Sequence, residues 1–227
     1  MTIRVLIVDD QALIRSGLRS VLATSDGLAV VGEAADGAEA ISAARELRPD
    51  VVIMDLHMPH IGGVEATLQL LRLDDPPRVL VLTTFKTDDL VIRALQAGAS
   101  GFLLKDLSGS ELTTAVCTVA AGGTVMSPEI MAQLVSRAHA RTPVGFEGMM
   151  EKIAGLTDSE REVLALIGAG HTNQRIAETL HLSLASVKTY ASRMLTRLGL
   201  DNRTQAAVLA YEAGLVDTDR SRANHPG

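Results

Sequence analysis

Five polar residues follow apolar runs at places where a strand could end. Asp9 and Asp10 follow Leu6-Ile7-Val8, and Asp55 follows Val51-Val52-Ile53-Met54. Thr83 follows Val79-Leu80-Val81-Leu82, and Lys105 follows Phe102-Leu103-Leu104. In a doubly wound parallel sheet such strand ends share the carboxyl edge, where these folds hold ligands. Three carboxylates brought together raise one another's pKa values. A hard divalent cation such as Mg²⁺, which takes oxygen ligands octahedrally, relieves that conflict. The Thr83 hydroxyl and the Lys105 ammonium both favour a phosphoryl group at the same edge. Asp55 could then act as a carboxylate nucleophile toward phosphorus, with Mg²⁺ and Lys105 neutralising charge on the transferring group. Any one of these residues alone reads as a solvated strand end; five at four strand ends read as a site.

The elements that must position them follow from periodicity. From residue 3 to 121, short apolar runs alternate with segments of helical period, the pattern of a parallel sheet wrapped by helices. Strands are expected at 4–8, 29–34, 51–54, 78–82 and 101–104, with helices near 12–24, 37–47, 63–72, 88–97 and 109–121. The third strand is apolar throughout, as a strand covered on both faces should be, and so belongs in the centre. Gly122-Gly123 closes this region, and Ser127-Pro128-Glu129 can start a short helix with Ser as cap and Pro in the first turn. Pro143, Gly145 and Gly148 break any clear period between Ala138 and Gly155, which predicts a flexible connector there.

Beyond it, Thr157-Asp158-Ser159-Glu160 matches a capping box. Four short helices are expected, running to about Ile167, from Thr172 or Asn173 to Leu180, from Ser183 to Leu198, and from Asp201 or Asn202 to Gly214. About three residues separate the second from the third, a spacing that suits a helix-turn-helix. The expected fold class is α/β, a five-stranded doubly wound parallel-sheet module, followed by a small all-α four-helix module.

Composition narrows the class. The chain has 227 residues, enough for two small domains, and is 47% hydrophobic with 21% charged residues, unlike a disordered chain. Aromatics are 2% with no Trp, which argues against base-stacking platforms for single-stranded nucleic acid. The single cysteine, Cys117, excludes an internal disulfide and a multi-Cys zinc site. The start of the chain is too acidic for a secretory signal, and the uncharged run between Glu111 and Glu129 is too polar for a membrane span; a soluble, cytoplasmic protein is expected. Net charge is −6, all of it arising within residues 1–121, whereas residues 156–216 are neutral. Within the latter, Lys188, Arg193, Arg197 and Arg203 stand against Asp201 alone, a local basic patch able to meet a polyanion.

Across positions 3–121 the residues resemble the receiver domain of two-component response regulators. The matching runs are Val8-Asp9-Asp10, Met54-Asp55 with Met58-Pro59 and Gly62-Gly63, Leu82-Thr83-Thr84, and Leu104-Lys105-Asp106. The resemblance implies Asp55 as phosphoacceptor, Asp10 and Asp55 as Mg²⁺ ligands with Asp9 holding the metal's waters, Thr83 as switch hydroxyl and Phe102 as switch aromatic. Phe102 also reads as plain core. His57 has no second ligand at metal spacing and is expected to face solvent from its loop. Its position argues against phosphatases of the haloacid dehalogenase type, which place a second Asp there.

Residues 156–216 resemble the LuxR/NarL-type helix-turn-helix. The matching runs are Leu156-Thr157, Glu160-Arg161-Glu162-Val163-Leu164, Gly170-His171-Thr172-Asn173, Ile176-Ala177, Ser186-Val187-Lys188-Thr189, and Leu198-Gly199 with Arg203-Thr204-Gln205-Ala206. Tyr190 departs from the family's usual His, and Gln174-Arg175 from its usual Lys-Glu. In the third helix Val187, Ala191, Leu195 and Leu198 share one face and are expected in the core. Lys188, Thr189, Ser192, Arg193 and Thr196 share the other, which can enter a major groove. Lys188, Thr189, Ser192, Arg193 and Arg197 are the expected DNA contacts.

Together the resemblances imply a NarL/FixJ-class response regulator with residues 1–121 as receiver, 122–155 as a linker that is partly helical, 156–216 as DNA-binding domain and 217–227 as a flexible tail. They imply phosphorylation by a sensor histidine kinase, homodimerisation when phosphorylated, binding to double-stranded promoter DNA, and a switch rather than an enzyme. A ligand-sensing regulator without a working acidic pocket, and a phosphotransfer enzyme, are the alternatives; the complete acidic set opposes the first. The missing acid/base partner and the absence of a Gly-rich phosphate loop oppose the second.

Overall fold

A computed structural model of the protein describes residues 2–84, 89–139 and 143–216, with side-chain environments for all of these except 137–139 and 143–147. The expected tail over 217–227, and the first residue of the helix expected over 88–97, lie outside the described residues. The chain divides into two compact units between Ile130 and Met131.

In the first unit, strands β1 (Ile3–Val8), β2 (Leu28–Ala34), β3 (Val51–Asp55), β4 (Arg78–Thr83), β5 (Gly101–Leu104) and β6 (Val125–Met126) form one sheet in the order β2-β1-β3-β4-β5-β6. All five pairings are parallel. Five strands were expected; the sixth is a two-residue edge that pairs Gly101 with Val125 and Phe102 with Met126. β3 lies between β1 and β4, and every one of its residues is buried, as its continuous apolar run requires.

Helices α1 (Ala12–Ala23), α2 (Gly37–Leu47), α3 (Gly63–Leu70), α4 (Asp89–Ala97) and α5 (Gly109–Ala120) follow the first five strands in turn. Alternation sends Val5, Ile7, Val51, Ile53, Leu80, Leu82 and Leu103 to one face, where Leu22 of α1 and Leu112, Val116 and Val119 of α5 close a core cluster. The alternate residues, among them Leu6, Val52, Met54, Val81 and Phe102, are buried on the opposite face. Local signals fix the helix starts. Asp36 accepts from the Glu39 amide at 2.9 Å, and Ser108 with Glu111 forms a reciprocal capping box at the start of α5.

Helix α6 (Pro128–His139) begins at the Ser-Pro-Glu signal, with Ser127 Oγ accepting from the Ile130 amide at 3.4 Å. The segment expected as a flexible connector contains a helix instead, α7 (Pro143–Ala154). Pro143 falls on the first residue of this helix, where proline is tolerated, and tertiary packing offsets the two glycines. Met149, Met150 and the buried Ile153 pack into the core of the second unit.

The rest of that unit is α8 (Asp158–Gly168), α9 (Asn173–Leu180), α10 (Leu184–Leu198) and α11 (Arg203–Glu212). Thr157, Thr172, Ser183 and Asn202 each accept an amide from the first turn of the helix they precede. The turn from α9 to α10 passes through His181 at φ 53°, a left-handed residue that lets the chain reverse over three positions. Of the four α10 residues expected in the core, Val187 and Leu198 are buried, whereas Ala191 and Leu195 are half-buried. Met194, fully buried, takes the deep position one turn from Leu198.

Candidate functional site

The parallel register brings the sequence-predicted residues together. Val8 pairs with Met54, Asp55 with Leu82, and Thr83 with Leu104, so the residues at and just beyond these pairs occupy one edge. Carboxylate oxygens of Asp9, Asp10 and Asp55 all lie within 4.8 Å of one another. Asp9 and Asp55 are buried, whereas Asp10 is exposed. Three hard oxygen donors at one rim, one of them reaching solvent, are a donor set that suits Mg²⁺ with retained waters.

Lys105 reaches this cluster from β5. Its Nζ lies 2.6 Å from Asp9 Oδ2 and 3.0 Å from Asp55 Oδ2. Desolvation lowers the pKa of a buried ammonium, but the hydrogen bonds and charges of Asp9 and Asp55 outweigh it and hold Lys105 above the ordinary lysine value. Burial pushes the Asp55 carboxyl up, helped by the charge of Asp9 and opposed by Lys105 and a backbone hydrogen bond from His57. Thr83 is fully buried at the end of β4.

Phe102 is also fully buried, on the same sheet face as Thr83 and two register pairs away. Full burial suits the plain-core reading of this side chain as well as the switch reading. His57 departs from expectation. It is half-buried, with its Nδ1 inside the protein.

Sequence reasoning missed what holds this edge in place. Asp9 is bonded at almost every polar atom. Its Oδ1 accepts from the Gln11 amide at 2.9 Å, its carbonyl accepts from Arg15 Nη1 at 2.7 Å, and its amide donates to Ala34 at 3.2 Å. Arg15 is in turn paired with Glu33 at 3.2 Å. For this network the sequence offered only the arginines of α1, whereas Gly63 stands in the Gly62-Gly63 run already singled out. Gly63 opens α3 directly against Asp55, and a Cβ at that position would lie 2.1 Å from the Asp55 carbonyl oxygen. The close approach requires glycine, and it fixes how tightly the loop after β3 folds under the acceptor.

In the second unit, Lys188, Thr189, Ser192, Arg193 and Thr196 are all exposed on α10, as the face assignment expected. Thr189 and Thr196 hydroxyls donate back to Ala185 and Ser192 carbonyls at 2.9 and 3.1 Å. The local basic patch is smaller than its count of residues. Arg203 points into the unit, donating to Asn173 Oδ1 at 2.8 Å and to the His171 carbonyl. Arg197 donates to Glu160 Oε2 and to the Gly155 carbonyl, both at 3.0 Å.

The fold and the two sites define a two-module regulator. Residues 5–117 match the model of the response regulator receiver domain, and residues 154–210 match that of bacterial regulatory proteins of the luxR family. The chain belongs to the response regulators of two-component systems that join a receiver to a LuxR-type DNA-binding domain. The chain is 40% identical over 216 residues to response regulator protein VraR of Staphylococcus aureus, covering 95% of this chain and 100% of VraR. Among solved structures, the response regulator ChrA of a heme-sensing two-component system is 35% identical, with TM-score 0.53 and 94% and 98% of the two chains covered. A structure of two RcsB dimers bound to two parallel DNAs is 25% identical, with TM-score 0.54 and 93% and 98% covered. Among the described residues no helix is long and apolar enough to cross a membrane.

Proposed function

We propose that this response regulator is switched by phosphorylation of Asp55 and that the switched form binds promoter DNA as a homodimer. The observation that carries the reading is the bridging ammonium of Lys105, placed between two buried carboxylates beside an exposed third. Asp10 and Asp55 would hold Mg²⁺, with Asp9 bonded to its waters; when bound, the metal supplies charge neutralisation for the incoming phosphoryl oxygens. An Asp55 carboxylate oxygen attacks phosphorus in line, the bond from phosphorus to the histidine nitrogen of a sensor kinase breaks, and that nitrogen retains the electron pair.

The new group adds about −1.5 to −2 of charge and strong acceptor oxygens. Lys105 then has a better partner than Asp55, and the Thr83 hydroxyl a reason to turn toward the edge. Phe102, buried beside them, would adjust its packing, and the face of α4, α5 and β5 would change with it. A coupling of ~1–3 kcal/mol is enough to shift an affinity 5- to 150-fold.

For the output, Lys188, Thr189, Ser192 and Arg193 would meet base edges and phosphates from the polar face of α10. Two copies would read half-sites about one helical turn apart, near 34–36 Å; that RcsB binds DNA as dimers supports a dimeric reader by analogy. The protein works in the cytoplasm as a switch and not as an enzyme. Acetyl phosphate with Mg²⁺ should add one phosphoryl mass to the wild type and none to Asp55→Asn. Selection of duplexes from a random pool should enrich palindrome-like sites more strongly in the presence of beryllofluoride. Labelling that persists in Asp55→Asn would overturn the acceptor assignment. Equal enrichment with and without beryllofluoride would favour a regulator that ignores phosphorylation.

A further inference from the structure

Arg197 lies in the last turn of the helix offered to DNA, yet its guanidinium is directed back into its own unit. Nη1 donates to Glu160 Oε2 and to the Gly155 carbonyl, each at 3.0 Å. Glu160 is a buried carboxylate with 4% of its side chain exposed, against 47% for Arg197. The same Oε2 accepts the amide and hydroxyl of Thr157 at 2.9 and 3.0 Å. One oxygen therefore gathers the cap of α8 and the end of α10, and the arginine adds the chain that leaves α7. Arg161 reinforces the join, donating to the Ile153 and Ala154 carbonyls at 3.3 and 3.4 Å.

Charge and solvation decide which partner Arg197 keeps. Turning outward to a phosphate would exchange a desolvated carboxylate for an anion at a wet surface. It would also leave Glu160, a buried carboxylate, with only the Thr157 bonds and the more distant charge of Arg193, which is the costly way to break an ion pair. Glu160 is held below the usual carboxylate range, first by the Thr157 amide and also by the Arg197 charge, so it stays ionised as the counter-anion. Lys188, Arg193 and Thr196 meanwhile remain on the exposed face.

We infer that Arg197 is a positioning residue of the DNA-reading helix, which clasps the end of α10 to Glu160 and to the chain leaving α7, and not a contact to DNA phosphate. The inference rests on the reading of α10 as the groove-facing helix. It requires that α10 be set by a carboxylate that itself never touches DNA.

The test uses the full-length protein and a duplex selected by the wild type from a random pool, with affinity measured across a salt series. A lost phosphate contact lowers the slope of log K against log salt by about 0.9, whereas a misplaced helix weakens binding with the slope kept. Glu160→Gln retains the capping box, since Gln serves at that position, and leaves the Arg197 charge in place. Both Glu160→Gln and Arg197→Met should weaken binding by roughly tenfold, about 1.4 kcal/mol, with an unchanged slope and with no further loss in the double variant.

Wild-type binding by Glu160→Gln, or a slope reduced by about 0.9 in Arg197→Met, would overturn the assignment. Should Arg197→Met fail to fold, Glu160→Gln decides alone, because a phosphate-contacting arginine released from its partner would bind no more weakly. Without DNA, Glu160→Gln should speed amide exchange in the last turn of α10; unchanged exchange counts against the clasp even if no duplex binds. Failure of the wild type to select any duplex is a separate result, and it overturns the DNA reading of α10 itself.

Discussion

The ammonium of Lys105 lies closer to Asp9, at 2.6 Å, than to the proposed acceptor Asp55, at 3.0 Å. Asp9 thus anchors the lysine, and Asp55 shares it. Removing the cation leaves two buried carboxylates facing each other, so Lys105→Met should raise Mg²⁺ affinity roughly tenfold, since a unit charge a few ångströms away is worth a few kcal/mol before screening. The same variant should slow labelling by acetyl phosphate by about 100-fold, as loss of a charge-stabilising group does elsewhere. Calorimetric Mg²⁺ titration and timed intact-mass spectra check both, and an unchanged metal affinity would show that the lysine is not electrostatically coupled to the cluster.

Gly63 and Gly148 form a matched pair of substitutions. A methyl at Gly63 meets the Asp55 carbonyl at 2.1 Å, whereas nothing lies within 4 Å of the position it would occupy at Gly148 in α7. Gly63→Ala should cost ~1–3 kcal/mol of receiver stability through overpacking and lower Mg²⁺ affinity by displacing the β3 end. Gly148→Ala should add roughly 0.5–1 kcal/mol through helix propensity. Urea denaturation of the full chain reads both, and equal effects would mean the contact at Asp55 is slack.

His171 gives the second unit a pH dependence of fixed sign. Its pKa is lowered by burial and then by the charges of Arg175 and Arg203. Below the ordinary histidine value the unfolded chain binds a proton that the folded chain resists, so stability falls as pH drops through that window. The stabilising contribution is complete above the unfolded pKa of about 6.5. His171→Gln keeps the carbonyl that Arg203 uses, and it should remove this part of the dependence. Melting of the C-terminal unit at about pH 7.5 and pH 5.5 should differ less in the variant than in the wild type; a difference of the same size would exclude His171 as its source.

Much of this architecture was legible because its signals are local. The apolar run at Val51–Met54 could only suit a central strand, and the Asp, Thr and Lys that terminate successive strands share an edge once the strands are parallel. The capping residues Ser108, Thr157 and Ser183 announce their helices in the same way. What was hidden depends on contacts distant in sequence. Val125-Met126 is too short to show a period, and its pairing comes only from β5 beside it. Helix α7 carries two glycines in its sequence, and burial of Ile153 with packing of Met149 and Met150 holds it. Arg197 and Arg203 count as surface cations until Glu160, Asn173 and the His171 carbonyl are seen beside them. Charge composition cannot distinguish an arginine that holds its own module together from one that reaches a partner.

The two-residue strand β6 bears on how copies of this protein can meet. A parallel sheet that ended at β5 would leave a run of unsatisfied amides and carbonyls open to a strand from another molecule. Val125 and Met126 cover part of that margin and are themselves too brief to template a neighbour. The opposite margin is β2, a seven-residue strand, so the shielding applies to the β5 side of the sheet alone. From that rim, an added strand from a second molecule would find only two residues to pair with.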